Sequence, residues 1–191
     1  MTQVFDLTDY KPIPNENYFV DTNVWYWTTY LSSKEMSSHN KTQDYQMEDY
    51  PSFIEKALND GASLCHCAMT FTELANIIEH TEYELYKLKS GKEYFSKKEF
   101  RKDIDARTQV LKEIDTAWST INSMSKCIDV NLNSDFVDKS KIIMDEGNVD
   151  PFDAFYVQIM RDNKIDFIVT DDHDFCSTNQ IIVTSNKKAL R

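Results

Sequence analysis

The residues best suited to chemistry in this sequence are carboxylates placed at the ends of apolar runs. Asp21 closes Tyr18-Phe19-Val20, and Glu73 follows Thr70-Phe71-Thr72 at the head of a segment with helical apolar spacing. Asp150 and Asp153 bracket Pro151 and Phe152, while Asp171, Asp172 and Asp174 come directly after the run Asp166 to Thr170. Acids gathered at one point repel one another unless a cation neutralises them. An all-oxygen ligand set suits Mg2+ or Mn2+ and not zinc. The chemistry that such a set supports is metal-assisted hydrolysis, in which the ion acidifies a bound water and offsets charge on a phosphate.

Each acid also has a local structural role open to it. Thr70 to Glu73 fits a capping box with Glu at the third helical position. Asp150-Pro151-Phe152-Asp153 reads as a helix cap, a first-turn proline and a first-turn acid. Asp21 or Asn23 can cap a helix, and Asp171 to Asp174 can form a solvated turn. Position separates the two readings. In open parallel sheets, ligands collect beyond the carboxyl ends of the strands, and these acids all fall just after a strand or in the opening of a helix. Four caps need not share a rim, whereas four ligands of one centre must.

The elements that would position them follow from periodicity. Tyr18 to Asp21, Ala62 to Cys67, Ile128 to Val130, Asp166 to Thr170 and Ile181 to Thr184 read as short buried strands. Helices are expected over Val24 to Leu31, Ser52 to Asn59, Thr70 to Leu88, onward from Ser96, Ser134 to Glu146 and Asp150 to Asn163. Trp25, Tyr26, Trp27 and Tyr30 read as core, and the polar stretch Ser32 to Pro51 as a surface loop. Strands alternating with helices give an α/β fold, a three-layer α/β/α sandwich around a parallel sheet of about five strands. A helical hairpin is added over residues 80–126, with Phe100, Ile104, Leu111, Ile114, Trp118 and Ile121 as its seam and Arg107 the one polar member. A chain of 191 residues fits a single domain over 1–191.

Bulk properties exclude several classes. The start Met-Thr-Gln-Val-Phe-Asp-Leu lacks the basic and apolar regions of a secretory signal, and no run is apolar enough to cross a membrane, so the expected location is cytoplasmic. Cys65, Cys67, Cys127 and Cys176 form no zinc spacing and read as buried reduced thiols. With 3 glycines, none in a phosphate-cradling loop, a P-loop nucleotide hydrolase is excluded. The net charge of −11 runs against phosphate binding, but it is unevenly spread. Glu84 to Lys112 carries nine basic residues against five acids, and Asp135 to Asp174 eleven acids against four bases. Lys87, Lys89, Lys92, Lys97, Lys98, Arg101 and Lys102, interleaved with Tyr94, Phe95 and Phe100, can hold an RNA backbone, the plainer role being a solvated helix tip. His66 and His80 read as structural, and His173 alone lies beside the acids.

The acids, taken with their neighbours, resemble the motifs of PIN domains. Tyr18-Phe-Val-Asp21-Thr-Asn-Val-Trp25 resembles the opening strand motif, Thr70-Phe-Thr-Glu73-Leu74 the second, Asp153-Ala-Phe-Tyr-Val-Gln-Ile159 the third and Thr170-Asp-Asp172-His-Asp-Phe175 the fourth. They occur in the family's order and span nearly the whole chain. The resemblance implies a Mg2+- or Mn2+-dependent endoribonuclease, with Asp21, Glu73, Asp153 and Asp172 as catalytic and metal-binding acids. Thr22, Asn23 and Thr170 would hydrogen-bond the carboxylates or bound water, and Asp171 stands one step of register from Asp172 as its substitute. Lys92, Lys97, Lys98 and Arg101 are the RNA-binding candidates. Many family members are toxins of bacterial toxin–antitoxin pairs, which implies RNA as substrate, an antitoxin as partner and the hairpin as a partner or homodimer surface. Two rival readings remain: a metal-dependent phosphatase of the haloacid-dehalogenase kind, which would need an acid where Asn23 stands, and a PIN-like module that only binds protein.

Overall fold

Short strands alternate with helices along the chain, and pairing is parallel throughout. The computed structural model describes residues 2–34, 43–91 and 96–191. Among these, six strands form one sheet: β1 (Gln3–Asp6), β2 (Asn17–Val20), β3 (Ser63–Cys67), β4 (Lys126–Ile128), β5 (Phe167–Val169) and β6 (Ile181–Thr184). Their order is β1-β6-β5-β2-β3-β4. The helices are α1 (Thr22–Thr29), α2 (Asp44–Asn59), α3 (Ala68–Ser90), α4 (Lys97–Phe100), α5 (Ile104–Met124), α6 (Ser134–Glu146) and α7 (Pro151–Asp162).

Alternate residues of each strand feed opposite cores, as the period of two requires. Tyr18, Val20, Leu64, Phe167, Val169 and Val183 pack under α1, α2, α3 and α5, with Trp25, Tyr30, Phe53, Ile78 and Ile121. Phe19, Cys65, Ile168 and Ile182 face the other way, against Phe136, Ile143, Val157 and Met160 of α6 and α7. The expected three-layer α/β/α sandwich is therefore what forms, with both faces of the sheet covered. Burying each such side chain contributes about 1.5–3 kcal/mol before the cost of ordering it.

Four local expectations need correction. The sheet has a sixth strand, β1, which holds the edge by pairing with β6 alone. Its residues Gln-Val-Phe-Asp carry no apolar run because an edge strand of this kind buries little; Val4 packs on the second core while Phe5 stays exposed. The polar stretch after Ser32 is not a continuous loop. A short 3-10 helix covers Leu31–Ser33, residues 35–42 lie outside the described segments, and α2 then begins at Asp44 instead of Ser52. Reciprocal bonds between Gln43 and Gln46 cap α2, and Pro51 sits inside it at the cost of one backbone hydrogen bond.

The hairpin seam is also out of phase with expectation. Phe100 belongs to the separate four-residue helix α4, and α5 starts afresh where the Asp103 side chain accepts the Ala106 amide at 3.0 Å. The buried stripe of α5 is accordingly Val110, Ile114, Ala117 and Ile121, while Ile104 is 80% exposed and Leu111 44%. Finally, Cys65 and Cys67 are buried thiols as expected, but Cys127 is exposed because β4 is the other edge of the sheet.

Candidate functional site

The strand order creates a switch point. From β2 the chain proceeds through β3 to β4 on one side, and from β5 through β6 with β1 on the other, so β2 and β5 are neighbours whose connections diverge. Crevices beyond the carboxyl ends of such strands are where α/β folds place ligands. Asp21 follows β2 directly, and Thr170, Asp171 and Asp172 follow β5. Glu73 lies in the second turn of α3, after β3, and Asp153 in the first turn of α7.

Two hydroxyl systems hold the carboxylates of Asp21 and Glu73. The Asp21 amide donates to the Val169 carbonyl at 3.0 Å, and its Oδ2 accepts the buried Thr170 hydroxyl at 2.8 Å. Thr170 Oγ1 in turn accepts the Asp172 amide at 2.9 Å, and Asp172 Oδ1 accepts the Asp174 amide at 2.8 Å, capping the 3-10 helix His173–Ser177. Glu73 Oε2 accepts two hydroxyls, Thr22 Oγ1 and Tyr156 OH, each at 2.6 Å. The Asp153 amide donates to the Asp150 carboxylate at 3.0 Å, but no donor reaches the Asp153 carboxyl among the described residues.

The acids sense one another's charge. Burial pushes the Asp21 carboxyl up to about 7, with Glu73 and Asp172 adding to the rise against the pull of the Thr170 hydroxyl. Burial, then the charges of Asp150, Asp21, Asp172 and Glu73, push Asp153 up to about 8. Among the described residues no Lys or Arg pairs with any of these four acids. Nor do any three His, Cys, Asp or Glu side chains among them already stand close enough to grip one ion. The rim is thus an electrostatic cluster without a preformed cage, as uncompensated like charges favour. Its donor set fits a hard divalent cation, since every acid offers carboxylate oxygen and two carboxyls lack a neutralising partner.

The structural roles open to these residues divide them. Glu73 is not a cap, because α3 begins at Ala68 with Cys67 and Thr70 in the capping positions. Asp21 makes no side-chain cap bond to α1. Asp150 is a cap, accepting the Phe152 and Asp153 amides at 2.7 and 3.0 Å. Asp171 turns the other way: Tyr45 at 3.0 Å, Gln46 at 2.6 Å and Tyr50 at 2.8 Å, all on α2, donate to its carboxylate. Asp172 is therefore the residue of the pair whose charge is felt at Asp21 and Asp153.

Of the supporting residues, Thr22 and Thr170 meet the carboxylates and Asn23 is exposed. Arg101 is engaged elsewhere, its guanidinium bonded through two nitrogens to the buried Glu79, which Arg107 also meets at 3.2 Å. Lys97 and Lys98 lie on α4, and Lys92 falls outside the described residues. His173 is exposed; His66 is buried in β3, its Nδ1 2.8 Å from Ser125 Oγ. Sequence reasoning missed Tyr156, although a phenol three residues after Asp153 on one helical face was a readable signal. No family model and no curated protein matches the chain, and no helix among the described residues is long and apolar enough to cross a membrane.

Proposed function

We propose that this chain is a PIN-like endoribonuclease that hydrolyses RNA phosphodiesters with Mg2+ or Mn2+ held by Asp21, Asp153, Glu73 and Asp172. The observation that carries this reading is the set of acids without a cationic partner at the switch point, where burial and neighbouring acids raise Asp21 to about 7 and Asp153 to about 8. Such a site gains by taking a cation. When bound, the ion would lower the pKa of a coordinated water and offset charge developing on the phosphate. The chain's own residues do the rest. Thr170 fixes Asp21, Thr22 fixes Glu73, and the start of α7 offers Asp153 with an oxygen-only, unencumbered carboxyl. No side-chain nucleophile is required. The motif resemblance supports RNA as the substrate, an antitoxin as partner and the hairpin as a partner or homodimer surface, while the free thiols Cys65 and Cys67 favour the cytoplasm as location. A small reading frame beside this one, encoding a protein that binds it and silences cleavage, would support the toxin role.

The test is cleavage of RNA by the full chain with Mn2+, with EDTA, and after Asp21→Asn or Asp153→Asn. Chelation and each substitution are expected to lower the rate about 10²-fold or more, the several kcal/mol that metal-assisted charge stabilisation supplies. Full activity in either variant overturns the assignment. Metal-dependent phosphate release from a monoester without RNA cleavage would favour the phosphatase, and no hydrolysis of either substrate the binding module.

A further inference from the structure

Tyr156 lies 1% exposed on α7, its ring packed on Phe19 at 5.2 Å between centroids. Its hydroxyl, Thr22 Oγ1 and Glu73 Oε2 form a triangle with sides of 2.6, 2.6 and 2.9 Å. Both hydroxyls thus converge on one carboxylate oxygen, and among the described residues no protein donor reaches Oε1 of Glu73. A carboxylate whose one oxygen takes two donors can turn only the other toward an ion or its water. The two clasping residues are themselves tied to the other acids, since Thr22 follows Asp21 and Tyr156 lies one helical turn beyond Asp153.

We infer that Tyr156 is a positioning residue of the carboxylate set: with Thr22 it holds Glu73 so that Oε1 faces the cation, in register with Asp21 and Asp153. This inference rests on the metal-site reading above. Burial and the charge of Glu73 keep the Tyr156 phenol well above its ordinary range, so it remains a neutral donor. A phenylalanine at this position would keep the ring on Phe19 but leave Glu73 with the Thr22 hydroxyl alone.

The test is Mn2+ binding to the full chain, followed by the electron-paramagnetic signal of free Mn2+, with thermal melts of the metal-free proteins as the folding control. Tyr156→Phe deletes the hydroxyl and keeps the ring; it is expected to weaken Mn2+ binding about 10–100-fold, the usual effect of losing a group that orients a ligand. Thr22→Val deletes the second hydroxyl at nearly constant shape and carries the same test if Tyr156→Phe does not fold. Wild-type affinity in a folded Tyr156→Phe, or in Thr22→Val where that variant carries the test, overturns the positioning role and leaves the metal site standing. Absence of Mn2+ binding by the wild type overturns both.

Discussion

At Asp21 and Asp153 the folded protein holds the carboxyls at about 7 and about 8, well above their ordinary 3.8. The sign of the consequence is fixed. Between pH 4 and 8 the folded chain holds protons that the unfolded chain has released, so metal-free stability is greatest near the lower end and is lost as pH rises through about 7 to 8. Melts in EDTA are expected to show the midpoint falling from pH 5 to pH 8.5, with a smaller fall in Asp153→Asn. A flat profile in the wild type would contradict the raising of these two carboxyls by burial and neighbouring acids. Added Mn2+ should raise the midpoint more at pH 8 than at pH 5.5, because at the lower pH it competes with protons. At this scale the sequence disclosed which acids follow strands, since strand ends and helix starts are local features. It left Asp171 and Asp172 unresolved because their division depends on Tyr45, Gln46 and Tyr50, which reach Asp171 from more than a hundred residues away.

Helix α2 shows what an element can do for a site that it does not enter. Tyr50 is buried and its hydroxyl meets Asp171, the Thr170 carbonyl and Thr184, while the Ser185 amide donates to it at 3.2 Å. Tyr50→Phe strands these groups and is expected to cost about 1–3 kcal/mol in urea unfolding. A change within 0.3 kcal/mol or so would mean that α2 does not pin the turn. The second half of this helix was legible from Ser52 to Asn59, but its start was not, because Pro51 and a polar first half imitate a loop. The hairpin failed differently. A run of apolar residues at steps of three and four can be threaded in more than one phase, and only the cap at Asp103 selects the one used. The corrected phase makes opposite forecasts for two isoleucines. Ile121→Ala should cost about 2–5 kcal/mol as a core truncation, whereas Ile104→Ala should stay within about 0.5 kcal/mol. Equal losses would restore the earlier seam.

For the whole molecule, a net charge of −11 and an uncompensated rim make opposite demands on salt. Raising ionic strength from about 0.01 to 0.2 M screens self-repulsion and is expected to raise the metal-free melting point. The same change should slow RNA cleavage at low substrate, because contacts to phosphate weaken with salt. Parallel responses in both measurements would argue against RNA binding through charge. The sandwich itself was readable, since alternation of strand and helix admits few arrangements. The order β1-β6-β5-β2-β3-β4 was not, because nothing in five short apolar runs says which of them meet. That order governs how the protein comes into being. Asp21 waits for the hydroxyl of Thr170, made 149 residues later, and β2 gains its second neighbour only when β5 has been synthesised. A nascent chain halted before Phe167 therefore carries three of the four acids but neither β5 nor the turn that brings Thr170 and Asp172 to Asp21, so the acid cluster is completed only when almost the last strand has emerged.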